Sequence, residues 1–181
     1  MHFTLADLLL DLVQNAAGAR SQTVRVEWRE RNGRVTIIVD DDGMGMSPEI
    51  VSRAHDPFYT DGVKHPDRSV GLGLAFLRQT ADATGGTFTV ESEPGRGTRV
   101  TLDAPADHVD LPPAGDVVDT LVMALCSEGP ERIEIVREGS RGSYAVNTTE
   151  LKDVLGDLSS VEGRTLLREY VRSQEEDVWQ R

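Results

Sequence analysis

At 181 residues, with 38% hydrophobic and 28% charged side chains, the chain has an ordinary globular composition and length for one domain and part of a second. No apolar run approaches the roughly 18 residues of a membrane span, and Met1-His2-Phe3-Thr4-Leu5 lacks the basic start of a signal peptide. The net charge of −12 divides as −4 over residues 1–106 and −8 over residues 107–181, so neither part offers the basic face of a nucleic-acid binder. Membrane and nucleic acid are therefore not expected as partners, and a nucleotide would have to be held locally, by a metal ion and backbone amides. Cys126 stands alone, which excludes a disulfide within the chain and points to a reducing cytoplasm.

The first predicted helix runs from Leu5 to Ala19, with Leu5, Leu8, Leu9, Leu12 and Ala16 on one stripe, Thr4 as N-cap, Asp7 as its reciprocal acid and Gly18 marking the end. Asp11 and Asn15 lie one turn apart on a different face. Thr23 to Glu30 alternates Val24, Val26 and Trp28 against Arg25, Glu27 and Arg29, a half-buried strand. Arg31-Asn32-Gly33-Arg34 makes a hairpin turn into the β-branched run Val35 to Val39.

That second strand runs straight into Asp40-Asp41-Asp42-Gly43-Met44-Gly45-Met46. An acid fixed at the end of a buried strand can accept hydrogen bonds from an amino group on a flat ring, and the two glycines let backbone approach a bound group. On its own such a fragment is more often a plain turn.

Ser47 and Pro48 open a short helix that ends before Asp56-Pro57-Phe58-Tyr59. Residues 59–70 are polar and aperiodic, and a loop of about 12 residues inside a compact domain is usually functional or mobile. Gly71-Leu72-Gly73-Leu74 follows and opens a helix over 75–83, leaving free N–H groups backed by a helix dipole, an arrangement suited to phosphates. Strands at Thr87–Ser92 and Thr98–Leu102 flank the turn Glu93-Pro94-Gly95-Arg96-Gly97.

Taken in order, these segments resemble the ATP-binding domain of the GHKL superfamily, which includes DNA gyrase, Hsp90, histidine kinases and MutL. Asp11-Leu12-Val13-Gln14-Asn15-Ala16 looks like the family's N box. The resemblance implies that Asn15 binds Mg²⁺ and that Asp11 stands where family ATPases carry a water-activating Glu. Asp41-Asp42-Gly43-Met44-Gly45 matches the Asp-x-Gly-x-Gly box and Asp56-Pro57-Phe58-Tyr59-Thr60 the phenylalanine box. Gly71 to Leu74 matches the second glycine box behind an ATP lid, and Gly95-Arg96-Gly97-Thr98 the last box. The family roles then place Asp41 on the adenine amino group, with Gly43, Gly45, Met46, Phe58 and Thr98 around the nucleotide. Gly71, Leu72, Gly73 and Leu74 fall at the phosphates. Lys64 and Arg68 lie in the long loop, where they could either fold over the γ-phosphate or be ordinary surface charge. An Asn amide oxygen is a reasonable hard ligand for Mg²⁺ that bridges phosphates and keeps its waters.

Three departures matter. Asp11 is one methylene shorter than Glu, Ser69 replaces the first glycine of the usual Gly-x-Gly-Leu-Gly-Leu, and no helical hairpin precedes the N box in this sequence. None of His2, His55, His65 or His108 lies in a His-Glu phosphoacceptor pattern, so phosphorylation of its own histidine is not expected.

Residues 105–115 read as a linker, followed by a helix at Asp116–Ser127, strands at Arg132–Glu138 and Ser143–Asn147, and helices at Thr149–Leu158, capped by Thr149, and Val161–Glu176. His108 and Cys126, each without partners at ligand spacing, read as structural. The pattern from Leu5 through this linker to the tail is similar to stand-alone histidine-kinase-like ATP-binding proteins often encoded near FeFe-type hydrogenase genes.

The expected fold is α+β: an α/β sandwich with a mixed, mostly antiparallel sheet and helices on one face over residues 1–106. A small αββαα module over 107–181 is expected to pack on that sheet. The expected function is Mg²⁺-dependent ATP or ADP binding, with slow hydrolysis, in a nucleotide switch that acts on a protein partner. The alternatives are a kinase that phosphorylates Ser, Thr or His on a separate protein, and a sensor that binds nucleotide without hydrolysing it.

Overall fold

The computed structural model describes residues 4–54 and 72–179. In chain order the elements are α1 (Leu5–Gly18), β1 (Thr23–Arg31), β2 (Arg34–Asp41), α2 (Pro48–Ala54), α3 (Leu72–Thr84), β3 (Thr87–Glu93), β4 (Gly97–Pro105), α4 (Val117–Leu125), β5 (Arg132–Glu138), β6 (Ser143–Asn147), α5 (Thr148–Leu155) and α6 (Val161–Val178). The strands form one sheet in the order β3-β4-β2-β1-β5-β6. Only β1 and β5 pair in parallel, so the sheet is mixed and mostly antiparallel.

Alternation sets the two faces. Val24, Val26 and Trp28 of β1, Val35, Ile37 and Val39 of β2, and Val100, Leu102 and Ala104 of β4 are buried. They pack with the leucine stripe of α1 and with buried residues of α3, α4 and α6 into one apolar core. The intervening residues form a charged lattice on the opposite face, where Arg34 and Thr36 bind Asp103, Arg99 pairs with Asp40, and Arg25 and Arg29 flank Glu27. At the hairpin, Asn32 (φ 54°) and Gly33 (φ 71°) take the two left-handed positions of a two-residue turn. Thr4 and Asp7 cap α1 reciprocally, with Asp7 N–H donating to Thr4 Oγ1 at 3.1 Å and Thr4 N–H to Asp7 Oδ2 at 2.9 Å.

The tail has the expected αββαα order, α4-β5-β6-α5-α6, but it is not a layer packed on the sheet. Its strands lie within the sheet, β5 pairing with β1 from Thr23↔Arg132 to Arg29↔Glu138. The physical reason is the second edge of β1, whose N–H and C=O groups would otherwise be left unpaired above a helix-covered core. The linker carbonyls of Pro113 and Ala114 also accept from Leu5 and Ala6 N–H at 2.9 and 3.0 Å, satisfying first-turn donors of α1. The cap of α5 is Asn147 rather than Thr149: Asn147 Oδ1 accepts from Glu150 N–H at 3.0 Å. No helix among the described residues is long and apolar enough to cross a membrane.

Candidate functional site

The three consecutive acids at the end of β2 are sorted by strand parity. Asp40 points to the charged face and meets Arg99 at 2.8 Å. Asp42 accepts from Gln22 and Thr23 N–H at 2.7 and 2.8 Å, tying the start of β1 to the end of β2. Asp41 continues the inward series of Val35, Ile37 and Val39, and its Oδ1 accepts from Gly43 N–H at 2.8 Å. Burial is the largest influence on its carboxyl and pushes it from 3.8 up to about 6. The N–H groups of Gly43 and Thr98 pull the other way, and the charges of Asp40 and Asp42 push it higher.

The glycines after it serve the chain's own packing. A Cβ on Gly43 would stand 2.8 Å from Ala19 O and from Asp41 Oδ1, and one on Gly45 (φ +63°) would overlap Glu93 O. The expected room for a ring is therefore taken, on those sides, by protein. Gly97 (φ +96°) likewise has no space for a side chain against Asp41 O. The backbone of Met44 is clamped between Ala19 O and Gly95 N–H at 2.9 and 2.8 Å.

Ser92, which has no motif to mark it, joins these pieces. Its Oγ accepts from Met46 N–H at 2.8 Å, donates to Gly97 O at 2.9 Å and lies 2.9 Å from Thr98 Oγ1. Only the register Asp41↔Thr98 and Ser92↔Thr98 brings these residues together. Replacing Ser92 with Ala removes a shared partner from three partly buried polar groups. It is expected to lower unfolding stability by about 1–3 kcal/mol, read as a shift in the urea midpoint with an unchanged slope.

Asp11 and Asn15 project from α1 and touch, with Asn15 Nδ2 donating to Asp11 Oδ2 at 3.0 Å. The same carboxylate fills the space where a Cβ of Gly73 would stand, so the first turn of α3 rests on it. Asn15 O also accepts from Ala19 N–H at 2.9 Å, and Ala19 in turn holds Met44, so α1 connects this pair to the Asp41 cluster. Leu74 is buried in the core at 6% exposure and packs there. Leu72 begins α3. Phe58, Lys64, Arg68 and Gly71 lie outside the described residues, as do His2, His55 and His65.

Among the described residues no group of three or more His, Cys, Asp or Glu side chains could hold a metal ion by itself. His108 Nδ1 accepts from Asp110 N–H at 3.2 Å, and Cys126 Sγ donates to Leu158 O at 3.4 Å. A metal here would need ligands from a bound molecule, and the donor set fits that case. With Nδ2 committed to Asp11, Asn15 is left with its hard carbonyl oxygen to offer. A groove lined by Leu10, Gln14, Met123 and Arg164 shares α1 with the site but none of these candidate residues.

Residues 3–108 match the family described as histidine kinase-, DNA gyrase B-, and HSP90-like ATPase. The chain is 36% identical over 104 residues to the histidine protein kinase DivJ of Caulobacter vibrioides, covering 56% of this chain and 17% of DivJ. It is 36% identical over 107 residues to the sensor-like histidine kinase SenX3 of Mycobacterium tuberculosis, covering 56% of this chain and 26% of SenX3. Among solved structures, the catalytic domain of histidine kinase ThkA aligns with a TM-score of 0.42 and 21% identity, over 55% of this chain and 64% of that one. The chain thus spans about a quarter or less of the two curated relatives named.

Proposed function

Because the chain belongs to the histidine kinase-, DNA gyrase B-, and HSP90-like ATPase family, we propose that it binds ATP with Mg²⁺, hydrolyses it slowly and acts as a nucleotide switch on a protein partner. The observation that carries this reading is the partly buried Asp41 carboxylate, which the backbone N–H groups of Gly43 and Thr98 position at the end of β2. An exocyclic amino group is the donor such a site selects. Met46 and Thr98 are joined beside it through Ser92, and in this reading Gly43 and Gly45 carry the backbone past the nucleotide. Asn15 Oδ1 is the Mg²⁺ ligand in this reading, and the ion supplies charge neutralisation on the phosphates.

Asp11 uses Oδ2 for Asn15, which leaves Oδ1 to orient water. Lys64 and Arg68 are assigned to the γ-phosphate on sequence alone, as are Phe58 and Leu72 to the nucleotide and Gly71 and Gly73 to the phosphates. Residues 1–106 hold the nucleotide, and residues 107–181, bonded to β1 and to the start of α1, pass its state outward. Such a protein works in the cytoplasm, where ATP and Mg²⁺ are available.

A second reading is favoured by the two relatives, both named as histidine kinases. In it the γ-phosphoryl passes to a Ser, Thr or His of a separate protein. Calorimetric titration of ATP with and without Mg²⁺, with phosphate release followed in the same samples, tests both. Mg²⁺-dependent binding with release supports the ATPase switch, and binding without release moves the reading to a kinase or a sensor. No binding at all overturns the assignment of a nucleotide site.

A further inference from the structure

We propose that Asp11 is a positioning residue, which fixes the Asn15 carboxamide so that its oxygen, and never its NH₂ group, faces a divalent cation. This rests on the nucleotide-binding reading above and adds to it how the metal ligand is oriented.

A primary amide has two ends of nearly equal shape and opposite chemistry. A cation site built on one asparagine fails when the wrong end is presented, so something must choose. Here the chooser is one turn away on the same helix. Asp11 Oδ2 accepts from Asn15 Nδ2 at 3.0 Å, and a carboxylate has no proton to give, so only one of the two amide orientations makes this bond. Asp11 is in turn held by α3, because its carboxylate occupies the space that a side chain at position 73 would fill. The first turn of α3 therefore sets Asp11, Asp11 sets Asn15, and among the described residues Asn15 Oδ1 is the end left to face a cation.

A double-mutant cycle tests this with Mg²⁺ affinity as the readout. The Mg²⁺ midpoint for ADP binding is measured by calorimetry in the full chain, in Asp11→Asn, in Asn15→Asp and in the double variant, each checked for a cooperative melting transition. Asparagine at 11 can accept from the Asn15 amide or donate to it, so the choice between the two ends is lost. Aspartate at 15 has two equivalent oxygens and needs no choosing. The expected result is that Asp11→Asn weakens Mg²⁺ binding roughly 10- to 100-fold when residue 15 is Asn and leaves it unchanged or tighter when residue 15 is Asp. Equal weakening in both backgrounds would show that Asp11 acts by its charge or touches the metal, and would overturn the proposal. So would no weakening in the Asn15 background. If the unmodified chain binds ADP with no dependence on Mg²⁺, the metal reading itself fails, an outcome separate from the other two.

Discussion

Asp41→Asn is expected to lower ATP affinity roughly 10- to 100-fold, the worth of a hydrogen bond to a charged rather than a neutral acceptor. The substitution keeps an oxygen for Gly43 N–H, so the local backbone has no reason to move. In the unmodified chain the affinity should also fall as the pH drops through about 6, where the Asp41 carboxyl takes up its proton. Bound nucleotide favours the ionised form, so binding near pH 6 should release about half a proton that the Asn variant does not. Comparing the two proteins cancels the nucleotide's own titration. Stability moves the other way. The folded carboxyl titrates near 6 and the unfolded one near an ordinary value of about 3.9. Its favourable contribution is thus complete only below the unfolded value, and is lost as the pH rises through 6. At pH 7 the partly buried charge is a cost to the free protein, and Asp41→Asn should melt no lower than the parent. A variant that binds ATP as tightly as the parent would put the adenine pocket somewhere other than Asp41.

The parts of this site that could be read from sequence are those set by local rules. The caps at Thr4 and Ser47, the Asn32-Gly33 turn and the alternation of β1 and β2 all appear where residue type and spacing place them. The same alternation already separates Asp41 from Asp40, since only odd positions share a face with Val35, Ile37 and Val39. Ser92 was not legible, because its neighbours Met46, Gly97 and Thr98 are brought to it by the β3-β4 register and by the turn after β2. The entry of β5 beside β1 was hidden for a similar reason. Parallel pairing across about a hundred residues leaves no local signature, and a small αββαα segment reads equally well as a separate layer. Asn147 and Thr149 are both good caps two residues apart, and the choice turned on a distant group: Thr148 Oγ1 is taken by Ile133 N–H at 3.0 Å, which fixes where β6 hands over to α5.

Arg137→Ala should be the most destabilising single change in the tail, at about 3–5 kcal/mol. By strand parity Arg137 follows Ile133 and Ile135 inward, and it is 1% exposed. Its guanidinium lies between the rings of Trp28 and Trp179, 5.0 and 5.5 Å from their centroids. Glu30 accepts from Nη2 at 3.1 Å, and Glu175 lies 3.1 Å from Nε, an ion pair whose angle is not that of a hydrogen bond. Glu175 also accepts from the Tyr144 hydroxyl at 2.7 Å. Alanine would leave a buried Glu175 without its cation and two indole faces without their partner. For a chain of this size the loss corresponds to a fall in melting temperature of about 6–20 °C. Both tryptophans of the sequence touch this one side chain, so their fluorescence should change together. Lysine should rescue only part of the loss, since it keeps the charge and gives up the flat stacking surface. The consequence reaches the site: Trp28 pairs with Ile37 on β2, the strand that ends in Asp41. Trp28 is thus one of the routes by which the tail meets the strand that leads to the Asp41 site. An Arg137→Ala protein that melts with the parent would show that backbone pairing and the shared apolar core hold the tail to the sheet without this cluster.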